Sequence, residues 1–186
     1  NSVFDGAFEC PNLQKVGIDA FVNSVFDGEF NCPNLQTVGN DAFVNSVFNG
    51  AFECPNLQTV GYQAFDDSVF TGVFNCPNLQ TVGDGAFENS NFSGLLSLPV
   101  CVEVGDLAFR YSHFSGTLDL PVCTQIGDNA FVNSNFSEIT IGANATLGTG
   151  CIGAHSTEFI NDYTANNKLA GTYVWNSVSG HWIYQN

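Results

Sequence analysis

Ala42–Ala64 reads AFVNSVFNGAFECPNLQTVGYQA, and its phenylalanines return every 22 residues along most of the chain. An Ala-Phe ring recurs at Phe21, Phe43, Phe65, Phe87, Phe109 and Phe131. A second ring recurs at Phe4, Phe26, Phe48, Phe70, Phe92, Phe114 and Phe136, and a third at Phe8, Phe30, Phe52 and Phe74, where later copies carry Leu96 and Leu118. Seventeen of the 18 phenylalanines fall in these three registers. A period in the twenties is the signature of stacked coils, each unable to bury its apolar face alone.

Within one copy, Phe30 and Cys32 alternate with Glu29 and Asn31, the period of a strand whose polar residues face outward. Pro33 ends that strand because proline cannot donate to a ladder, and all six prolines share its register. Leu35 and Val38 form a second inward segment, turn-rich or shortly extended, on the opposite wall. Gly17, Gly39, Gly61, Gly83, Gly105 and Gly127 follow it, which predicts either positive φ or a tight backbone approach at a corner. The serine column from Ser2 to Ser134 supplies hydroxyls for backbone groups that no ladder reaches.

The array has two parts. Copies through Val82 carry FxCPNLQxVG, whereas those beginning at Leu95 and Thr117 carry LxLPVCxxVG and LxLPVCxxIG. Cys10, Cys32, Cys54 and Cys76 stand where Leu98 and Leu120 follow, and Cys101 and Cys123 stand where earlier copies carry leucine. Positions that accept either residue are buried and apolar, so the cysteines are expected as reduced core thiols. Beyond Gly148 the period dissolves, giving an expected division into a solenoid over 1–148 and a closing unit over 149–186. In the latter, Thr172–Trp175 and His181–Tyr184 alternate around Asn176–Gly180, which predicts an aromatic β-hairpin. It serves as a lid for the last coil or as a carbohydrate platform built from Tyr173, Trp175, Trp182 and Tyr184.

The formal charge of −15 repels phosphate backbones and anionic membrane surfaces, so nucleic acid is not an expected partner. No apolar run approaches the roughly 20 residues that span a bilayer, and direct membrane insertion is not expected. The chain opens in mid-repeat without a leader, which reads as a mature or trimmed fragment. His113, His155 and His181 are scattered, no cysteine pair has zinc-site spacing, and no nucleophile elbow, P-loop, zincin or dinucleotide fingerprint is present. No catalytic residue, metal or cofactor is therefore assigned. The GGxGxD pattern of calcium-bridged solenoids is missing as well, and three Asn-x-Ser/Thr triplets occur at Asn91, Asn135 and Asn144.

The late copies, with AFRYSHFSG followed by LDLPVCTQIGDNAF, resemble the BspA-like (TpLRR-type) leucine-rich repeats. Leu118, Leu120, Pro121, Ile126, Gly127, Ala130 and Phe131 carry the resemblance in order. The copy here has 22 residues where that family usually has 23, and Ser134 stands where it often carries cysteine. The resemblance implies a right-handed leucine-rich-repeat superhelix, mainly β, with a parallel sheet on the concave wall, about 6–7 coils and a C-terminal hairpin cap. It also implies a secreted or cell-surface bacterial protein acting in adhesion or protein binding, with a host extracellular or cell-surface protein as the kind of ligand.

Successive outward strand residues would line up as one continuous face, and the binding candidates are Glu9, Glu29, Asn31, Glu53, Val73, Asn75, Leu95, Ser97, Thr117 and Asp119. Val73 and Leu95 sit at its centre among acids and amides, which fits a partner with a small apolar centre and a basic rim. The alternatives are a passive spacer displaying another domain and carbohydrate binding by the hairpin. The sequence leaves the oligomeric state open.

Overall fold

A computed structural model describes residues 2–185. It is a parallel β-solenoid of about seven turns, closed by one helix and an antiparallel hairpin. Each early coil contributes three two-residue strands rather than one longer one. The first ladder joins Val3–Phe4, Val25–Phe26, Val47–Phe48 and Val69–Phe70, and the second joins Phe8–Glu9, Phe30–Asn31, Phe52–Glu53 and Phe74–Asn75. The third runs through seven strands, from Lys15–Val16 to Thr146–Leu147, so the Leu-x-x-Val segment is extended and carries the longest sheet of the molecule. All three are parallel, with identical repeat positions paired, as Val25↔Val47, Phe30↔Phe52 and Val38↔Val60 show.

Pairing equals with equals stacks the rings. Phe26 lies 4.9 Å from Phe48 at 6°, and Phe43 lies 4.9 Å from Phe65 at 5°. Across the coil the columns meet edge to face, as Phe26 and Phe30 do at 5.1 Å and 89°. Both geometries suit the ring quadrupole, so one repeat satisfies stacking along the axis and T-contacts across it. The serines answer buried carbonyls as expected: Ser46, Ser68 and Ser90 Oγ donate to Phe21, Phe43 and Phe65 C=O at 2.7, 2.7 and 2.9 Å. All seven cysteines are free thiols; six are buried, and Cys10 is half-exposed in the first coil.

At the corners, the glycines provide close approach rather than positive φ. A methyl on Gly39 would stand 2.8 Å from the Gly17 carbonyl carbon. Left-handed backbone falls instead on the flanks of each Ala-Phe pair, at Asp19 and Asn23, Asp41 and Asn45, Gln63 and Asp67, and onward. Asn and Asp predominate there because their short polar chains tolerate that region best.

In the late coils the first two strands fuse, giving His113–Leu120 and Asn135–Ile141. Gly171–Asn176 pairs antiparallel to Asn135–Ile141, and His181–Gln185 pairs with it in turn. The helix Ser156–Ala165 was not expected from sequence. Its buried Phe159 and Tyr163 lie four residues apart on one face. Tyr163 Oη donates to Gly142 C=O at 2.7 Å and accepts from Ala145 N–H at 2.9 Å, tying the helix to the last coil. Asp162 holds the hairpin, accepting from Trp182 N–H at 2.7 Å and lying 3.0 Å from the His181 ring.

Candidate functional site

The outward residues of the second ladder come from alternation: where Phe30 and Phe52 point inward, Asn31 and Glu53 point away. Glu9, Asn31, Glu53 and Asn75 form one column of paired positions, with Glu29 and Val73 just before their strands. Asn75 Nδ2 donates to Glu53 at 2.6 Å. Leu95, Ser97, Thr117 and Asp119 form a second group on Ser93–Ser97 and His113–Leu120, where Ser97 Oγ donates to Asp119 at 2.9 Å. Val73 and Leu95 are 66% and 72% exposed, a pair of large apolar side chains between two polar columns.

The two groups do not make the continuous face expected from the repeat. The first and second ladders stop at Val69–Phe70 and Phe74–Asn75, and a separate sheet starts at Ser93–Ser97; only the third ladder passes. Earlier coils bond Phe52 N–H to Val73 C=O and Cys54 N–H to Asn75 C=O. The bonds the repeat would place next, from Phe74 to Leu95 and from Cys76 to Ser97, are not made among the described residues. Two substitutions and one turn of the backbone coincide with the break. Leu96 offers no ring to stack on Phe74, and Gly94 takes φ +84° where Gly72 does not turn left-handed. Asn91 replaces the valine of the first ladder and spends its amide on Phe70, accepting from N–H at 2.7 Å and donating to C=O at 2.9 Å.

The glycine column changes course at the same place, where Gly94 turns left-handed. A methyl on Gly72 would lie 2.3 Å from Gly50 C=O, whereas one on Gly94 would meet nothing within 4 Å. The opening is a cavity of about 810 Å³, with Phe70, Phe74, Phe92 and Leu96 in its wall and Val73 and Leu95 at its rim. Phe70 and Phe92 still stack at 4.8 Å, so the core is continuous beneath a parted wall.

Sequence reasoning missed that the hairpin lengthens the second group. The pairing of Glu138 with Val174 and Thr140 with Thr172 puts all four on the outward face, followed by Ile183 and Gln185. Alternation in NFSEITI marks two of these positions, but the parity of the hairpin depends on its register. Tyr173, Trp175, Trp182 and Tyr184 share the opposite face. Tyr173 and Trp182 are buried against Phe159, Trp175 stacks on His155 at 3.8 Å, and Tyr184 Oη donates to Ala170 C=O. The rings are occupied in closing the array, and the four do not form an open sugar platform.

Elsewhere, Glu88 accepts from Arg110 at 3.1 Å, and Asp66 precedes them in the same column. Burial, with Asp67 and Glu88 adding repulsion, pushes the Asp66 carboxyl up to about 6, and its Oδ1 has no hydrogen-bond partner. No cluster of three or more His, Cys, Asp or Glu suited to a metal ion occurs among the described residues, and no helix there is long and apolar enough to cross a membrane.

The sequence model described as BspA type leucine rich repeat region matches residues 1–63 and 36–157, in six copies. No curated protein and no solved structure matches the chain.

Proposed function

Because the chain belongs to the BspA-type leucine-rich-repeat family, we propose that it is a non-catalytic protein-binding module, secreted or displayed at a cell surface, that engages its ligand through the outward strand face. The observation that carries this reading is the exposed pair Val73 and Leu95 between the columns ending in Glu53–Asn75 and Ser97–Asp119. A desolvatable apolar centre inside a polar rim is the usual anatomy of a protein interface. With Glu53 and Asp119 on the two sides, the complementary partner presents an apolar patch flanked by Lys or Arg, and a host extracellular or cell-surface protein is the proposed class. In the same reading, residues 1–148 form the binding array and 149–186 close it.

The test is capture from tissue or matrix extract by the intact chain and by a Glu53→Lys, Asp119→Lys variant. Specific proteins retained by the former and released by the latter support the face; identical capture by both, or none, removes it and leaves a spacer.

A further inference from the structure

We propose that the parted wall between Phe74–Asn75 and Ser93–Ser97 is a peptide-binding slot, which takes an extended segment of the partner as an inserted strand, apolar residues inward and basic residues outward. This rests on the outward-face reading and specifies how that face would grip its ligand.

Both banks of the slot are strand edges with complementary vacancies. On one bank the Phe74 and Cys76 N–H groups lack the acceptors that Phe52 and Cys54 find one coil earlier. On the other, Leu95 and Ser97 C=O occupy the positions those donors would have reached. A strand lying between them accepts from the first bank and donates to the second, the pairing of β-augmentation carried out on two edges at once. Unpaired ladder groups are the general attractant for an added strand.

Side-chain chemistry selects the sequence of that strand. Alternation sends every second residue inward, toward a cavity of about 810 Å³ walled by Phe70, Phe74, Phe92 and Leu96. The intervening residues emerge between Val73 and Leu95 beside Asn75 and Ser97, with Glu53 and Asp119 on the next strands out, about 10 Å away and within reach of a Lys or Arg side chain. The cations of this chain, Lys15, Arg110 and Lys168, lie outside the slot's lining. A segment alternating Val or Leu with Lys or Arg therefore meets apolar walls inside and carboxylates outside. Beneath the slot Phe70 and Phe92 remain stacked at 4.8 Å, so the floor of the slot is closed by the aromatic core.

The probe is acetyl-Lys-Val-Lys-Val-Lys-Val-Lys-amide, titrated calorimetrically into the intact chain. Leu96→Phe restores the ring carried at Phe30, Phe52 and Phe74 and fills the slot from within. It is expected to weaken binding by at least about tenfold, and N-methylation of the peptide's valines is expected to do the same, since each removes one or two net hydrogen bonds or their room. Hydrogen exchange supplies a readout independent of the variant: Phe74 and Cys76 amides exchange fast in the free chain and become protected with the peptide. Protection of both amides in the free chain, no binding of the peptide, or equal binding by Leu96→Phe each overturns insertion. A partner captured through Glu53 and Asp119 yet indifferent to Leu96→Phe would leave the outward-face reading standing without the slot.

Discussion

The Asn91 amide pairs with the Phe70 backbone as a neighbouring strand would, accepting from its N–H at 2.7 Å and donating to its C=O at 2.9 Å. One side chain thus stands in for the rung that the first ladder no longer supplies. Asn91→Ala leaves both groups of Phe70 without a partner, and is expected to lower stability by about 1–3 kcal/mol. Asn91→Asp is expected to cost no less at neutral pH, because a carboxylate cannot donate to the Phe70 carbonyl. Urea midpoints of the three proteins check this.

Asp66 gives the fold a pH dependence of definite sign. Its carboxyl is raised to about 6 by burial first, then by the charges of Asp67 and Glu88, with hydrogen bonds from the Asp67 N–H and then the Asn89 side chain opposing. A group that binds its proton more tightly when folded contributes stability at low pH and loses that contribution as pH climbs from about 4 through 6. Asp66→Asn should therefore match the parent near pH 4 and exceed it near pH 7, by about 1 kcal/mol once solvent screening is allowed for. Denaturation at both pH values reads the crossover; a constant offset would contradict it.

Leu107 occupies the left-handed corner, at φ 59°, that Asp19, Asp41, Gly85 and Asn129 fill in other coils. A branched apolar chain is ill suited to that region, where an ordinary residue costs about 1–2 kcal/mol. Leu107→Asn is expected to raise stability by about 0.5 kcal/mol, the relief being partly offset by lost contact of a half-buried side chain. A rise in thermal midpoint checks it.

The thiols should react in an order set by their place in the stack. Burial pushes Cys101 up to about 12 and Cys123 and Cys151 to about 11, while Cys10 is half-exposed in the first coil and raised by burial and by Cys32. Alkylation of the folded chain near pH 8 is expected to modify Cys10 first. The other six wait for unfolding, after which all seven label without reductant. Mass spectrometry of timed samples distinguishes this from any disulfide.

The solenoid was readable because rings at Phe26, Phe48 and Phe70 can share a core at one spacing only if coils lie in register. The parting of the wall was written in the same columns, as Asn91 for valine and Leu96 for phenylalanine, yet substitutions alone do not disclose a lost ladder. That outcome depends on the amide of Asn91 reaching Phe70 and on the turn taken at Gly94, neither of which has a sequence period. The helix at Ser156–Ala165 was hidden for a related reason. His155 at its start adopts φ 58° and offers no side-chain cap, and Phe159 with Tyr163 is too short a stripe to announce itself. On the candidate face, Glu53 and Asp119 followed from alternation, whereas Val174 and Ile183 required knowing which residue of the hairpin lies opposite Glu138.

Seven strands of the third ladder pass from one end of the array to the other, while the other two are interrupted after Phe74–Asn75. Where stability is a sum over neighbouring coils, an array divides first at its thinnest junction. Heating should release the amino-terminal coils while those anchored by Tyr163 still hold, so that calorimetry resolves two transitions, and Leu96→Phe, by mending the junction, should draw them together into one.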